Sequence, residues 1–140
     1  MFYLFWLILG LIAVFPLLWV VNKLDFNAMQ KVLGLSLVVA AVLYIAFAII
    51  WGSSTWLVIE IMGVPAYGVF YYLSQKYTCI WLTAGWFLHP VWDVLLHFNG
   101  PGSHVVPGWY SLACVSFDVA VAIYILYRFR LEKISSEALV

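Results

Sequence analysis

The 140-residue chain is 67% hydrophobic and 9% charged, with a formal net charge of zero. A soluble domain is about 25% charged, so this composition excludes an ordinary soluble fold and leaves no room for a separate aqueous domain. With no net charge and no basic patch interleaved with aromatics, nucleic acid is excluded as a partner.

Five apolar stretches follow in chain order, at about 2–21, 32–51, 55–73, 77–98 and 107–128. Each approaches the roughly 20 residues that cross about 30 Å of hydrocarbon. Lipid cannot satisfy exposed backbone groups, so each is expected to be a helix. The expected fold is all-α, a polytopic bundle of five transmembrane helices forming one domain over 1–140. Its expected location is multi-pass, in a bacterial inner membrane, with membrane lipid around it.

The first stretch lacks a basic lead-in and a small-residue cleavage site, so it reads as a retained helix. Lys23 and Lys31 fall in the first connection, Lys76 in the third, and Arg128, Arg130 and Lys133 in the tail. If five spans alternate, all six basic residues share one side. The positive-inside rule then puts the N-terminus outside and the C-terminus in the cytoplasm. The tail is expected to extend the fifth helix into the headgroups, its long basic side chains snorkelling.

The third stretch places Trp56, Glu60, Gly63 and Tyr67 on one stripe, with Pro65 expected to kink it. The fourth carries His89, Asp93 and His97 at i, i+4 and i+8, again one stripe. Trp86 and Trp92 lie beside them. Pro90 removes a backbone donor and clashes with the Trp86 carbonyl, so a kink is expected there too. The fifth places Ser111, Cys114 and Asp118 together. In the alternating topology every intramembrane ionisable group lies at mid-depth or in the outer half. Ionisable side chains avoid lipid, so the stripes are expected to converge on one polar pocket open toward the outside. His97 is its entrance residue. Cys79 and Cys114 lie at opposite depths, which rules out a bond between them.

Three chemical readings fit. In the first, Glu60, Asp93 and Asp118 surround His89 in an aromatic cavity completed by Trp56, Tyr67, Trp86, Trp92, His97 and Cys114. A carboxylic acid away from water can stay protonated at neutral pH, and a neighbouring imidazole can relay its proton. Such a cavity could bind a lipophilic small molecule or act on it by acid–base chemistry. In the second, His89, Asp93 and His97 hold a divalent metal. His89 and His97 lie about 12 Å apart on a straight helix, so one ion takes His89–Asp93 or Asp93–His97, completed by Glu60 or Asp118. Haem is disfavoured, because its axial ligands need opposed helices and all three histidines lie on the fourth helix or the loop after it. In the third, the polar groups fix helix register in an accessory subunit of a larger membrane complex or a homo-oligomer.

The segment Gly85-Trp86-Phe87-Leu88-His89-Pro90-Val91-Trp92-Asp93 resembles the Gly-x3-His-x3-acid stretch of emopamil-binding-protein-type sterol isomerases. That resemblance implies five membrane helices around an acid and histidine pocket, and carries over His89 and Asp93. The chain departs from it in having an aspartate for the usual glutamate, and in carrying the motif on the fourth helix. The His89-Pro90-x-Trp92-Asp93 core, with Pro107-Gly108-Trp109-Tyr110, is similar to small bacterial integral membrane proteins of unknown function. That resemblance implies no activity.

Overall fold

The computed structural model describes residues 2–138. Five helices make up the bundle, and no strand occurs among the described residues. The first is broken into α1 (Phe2–Ala13) and α2 (Phe15–Val21), with Pro16 in the first turn of α2. Proline is tolerated there because that N–H has no intrahelical partner. The others are α3 (Phe26–Trp51), α4 (Ser54–Lys76), α5 (Ile80–Trp92) and α6 (Gly108–Glu137). A π-helical segment, Asp93–Phe98, continues α5 without a gap. Phe2–Val21, α3, α4 and α6 are each long and apolar enough to cross a membrane.

Local chemistry sets the ends. The α3 helix starts six residues before its apolar stretch, because the Asp25 carboxylate accepts the Ala28 N–H at 2.7 Å and caps it. Pro65 does not interrupt α4, which stays helical on both sides of it. The α6 helix runs well past Tyr127 into the basic tail, as its charge pattern implies.

The helices pack in a ring, in the order α1, α6, α5, α4, α3. Alpha1 lies close on α6 at Gly10, where a Cβ would sit 2.0 Å from the Ala113 carbonyl oxygen. Alpha3 leans back across the ring, and the buried Trp86 indole donates to the Leu33 carbonyl at 3.2 Å. The apolar core runs through Leu33, Leu37, Leu82, Trp86, Val121 and Ile125. At one end Arg128 donates to the Leu24 carbonyl, joining the α6 tail to the α2–α3 connection. At the other, the loop after the π segment drives Val105 and Val106 into the bundle against Tyr44 and Ala48. Alpha1 and α3 do not close on one another, and this gap positions the site.

Candidate functional site

His89 sits in the last turn of α5, one residue before Pro90, and is fully buried. Its Nδ1 lies 2.9 Å from Asp118 Oδ2 on α6. Asp93 opens the π segment one turn further on, 3.7 Å from the same nitrogen. One donor atom from each of His89, Asp93 and Asp118 falls within 4.8 Å of the others. The α-to-π change thus begins at a cluster residue, and π segments recur at functional sites.

Glu60 and His97 form a second pair. His97 Nε2 lies 3.1 Å from Glu60 Oε1, close enough for an ion pair but too poorly aligned for a hydrogen bond. The other imidazole nitrogen faces the Gly102 carbonyl at 3.4 Å. A Cβ at Gly102 would meet the Trp56 ring at 2.7 Å and His97 Nδ1 at 2.9 Å, so only glycine lets the loop come this close. His97 is therefore sealed beneath the loop. Its place near the helix end marked it as an entrance residue, and the structure buries it completely. His104 stays exposed and stacks edge-on against Trp56.

The structure therefore divides the expected pocket in two. Asp118 joins His89 and Asp93, while Glu60 joins His97. The trio that comes together is His89–Asp93 completed by Asp118, one of the combinations the helix spacing allows, and His97 stands outside it. The reason is orientation: His89 faces α6, whereas His97, beyond the start of the π segment, faces α4.

Tyr44 of α3 bridges the halves. Its ring lies 5.5 Å from that of His89 and 5.1 Å from that of His97. Its hydroxyl lies beside the Asp93 carboxylate, close to hydrogen-bonding position but outside strict hydrogen-bond geometry. Tyr44 lies outside the polar stripes that the sequence marks. The available signal was that it and Ser36 are the hydroxyl-bearing residues within the otherwise apolar stretch 32–51.

The open space beside the cluster is apolar and lateral. A groove of about 660 Å³ lies between α1, α3 and α6. Its walls include Leu9, Gly10, Leu35, Val39, Leu43, Ala113 and Phe117, and it reaches Trp86, Cys114 and Asp118. Leu35, Val39 and Leu43 are also exposed on the outside of the bundle, so the groove opens sideways toward lipid. Tyr67 and Trp92 instead line a smaller hollow of about 270 Å³ on the other side of α5. The Tyr67 ring also packs on His89 at 4.9 Å. Trp56 is set apart, over His97 at 5.8 Å. Cys79 and Cys114 are both free thiols.

Apolar helices around a buried histidine–carboxylate group define a helical membrane protein with an internal polar cluster. Within that class, the chain belongs to the family of unknown function DUF6010, which it matches over residues 5–130. No curated protein and no solved structure matches it.

Proposed function

We propose that the protein binds a lipophilic molecule in the groove between α1, α3 and α6. The molecule's polar end meets the Asp118–His89 pair, which exchanges a proton with it. The observation that carries this reading is the meeting of two unlike surfaces. An apolar groove of about 660 Å³ ends on a carboxylate that is itself held by a buried imidazole. That volume falls in the usual range for small-molecule sites, which are mostly apolar with a few convergent polar groups. Sideways opening suits a ligand that arrives through the bilayer. The one-sided basic residues support an N-terminus outside and a C-terminus in the cytoplasm, and in that orientation the cluster would lie in the outer half of the membrane, in this reading a bacterial inner membrane.

The test is extraction and mass spectrometry of molecules that co-purify in mild detergent. One lipophile per chain is expected. It should be lost in Val39→Trp, which fills the groove from an exposed position, and weakened in Asp118→Asn. If Val39→Trp and Asp118→Asn leave the bound lipid unchanged but abolish co-purification of a protein partner, the chain is an accessory subunit and this reading fails.

A further inference from the structure

We propose that His89, Asp93 and Asp118 bind one divalent cation of the Mn²⁺, Fe²⁺ or Zn²⁺ class. Asp93 carries the argument. It is fully buried, and no donor meets hydrogen-bond geometry at either carboxylate oxygen, although the Tyr44 hydroxyl lies beside it. Its closest basic neighbour, His89 Nδ1, stands 3.7 Å away and already bonds Asp118. A buried polar group left without a partner costs about 1–3 kcal/mol, more when charged. Buried exceptions of this kind call for an explanation, and a bound ion is one of them.

Geometry and charge agree on a cation. Donors bound to such an ion at about 2.0–2.2 Å lie roughly 3–4 Å from one another. The three donor atoms lie within 4.8 Å, so a movement of about 1 Å brings them into place. With both carboxylates ionised and the imidazole neutral, as metal ligands must be, the set would carry two negative charges, which one divalent ion would cancel. No lysine or arginine is buried among the described residues to do so instead. A mixed nitrogen and oxygen set suits these metals better than Ca²⁺ or Mg²⁺, which take oxygen alone. The buried Tyr44 hydroxyl lies beside Asp93 and is placed to orient its carboxylate.

The inference deepens the groove reading and rests on it in one respect. The lipophile's polar end, arriving beside Asp118, would complete the coordination sphere, and the ion would polarise it and ease the loss of its proton.

The test is titration of chelator-stripped protein in detergent with Mn²⁺ alone, read by electron paramagnetic resonance. One Mn²⁺ per chain is expected, with hyperfine coupling to an imidazole nitrogen in ¹⁵N-histidine-labelled protein. Asp93→Asn should weaken binding by at least the roughly 10–100-fold seen when even an outer partner is lost, and Glu60→Gln should leave it unchanged. Folded wild-type protein that takes up neither Mn²⁺ nor Zn²⁺ stoichiometrically overturns the inference, as does equal affinity in Asp93→Asn. Val39→Trp should keep Mn²⁺ binding whether or not a lipophile binds, so a failed groove reading leaves this result standing. A chain that holds a lipophile but takes no Mn²⁺ overturns the inference alone.

Discussion

His89 Nδ1 and Asp118 Oδ2 lie 2.9 Å apart, a buried contact between α5 and the helix that walls the groove. It fixes the carboxylate where the apolar space ends. Asp118→Ala would leave the imidazole without this partner, at a cost of about 1–3 kcal/mol. Asp118→Asn keeps an acceptor oxygen and should cost about 1 kcal/mol or less. Thermal unfolding in one detergent compares them, and equal losses would show that the bond does not hold α5 to α6.

The Glu60–His97 pair joins α4 to the π segment. Hydrogen-bonded pairs inside membranes couple by about 0.6 kcal/mol on average, and this misaligned pair is expected to fall between zero and that value. A double-mutant cycle of Glu60→Gln and His97→Gln should give a coupling in that range. Additive losses would mean that the 3.1 Å approach carries no energy.

Gly102 is wedged between Trp56 and His97. Gly102→Ala should destabilise the protein by about 1–3 kcal/mol through overpacking. Adding Trp56→Ala makes room, so the double variant should lose less than the sum of the single losses. Denaturation curves of the three variants decide it, and simple addition would contradict the wedge.

Orientation rests on the basic residues and has its own measurement. In a background with Cys79 and Cys114 replaced by alanine, a cysteine at Ser53 should react with an impermeant reagent applied from outside. One at Lys76 should not. The reverse pattern would place the cluster in the inner half.

The five helices are legible in the sequence because lipid imposes one secondary structure on every long apolar run. His89, Asp93, Asp118 and Glu60 stand out for a related reason, since ionisable groups within such runs are costly. Which of them meet is not legible. The i, i+4, i+8 stripe assumes α-helical spacing throughout, but a π segment starts at Asp93. Asp118 therefore meets His89, and Glu60 meets His97. Tyr44 escapes because it looks like one more aromatic in an apolar stretch, and only packing places it between two histidines. The groove escapes as well: hydropathy reads each helix alone, and the space exists only because α1 and α3 stand apart.

The central claim is that the space between α1, α3 and α6 holds a lipophilic chain, and photo-cross-linking tests it most directly. A long-chain alcohol carrying a diazirine is equilibrated with the protein in detergent, irradiated, and mapped by peptide mass spectrometry. Attachment is expected on groove residues such as Leu9, Leu35, Val39, Leu43 and Ala113, and to disappear in Val39→Trp. Attachment spread evenly over the exposed face of α4, at Val58, Ile61, Met62 and Val69, and unaffected by Val39→Trp, would contradict it.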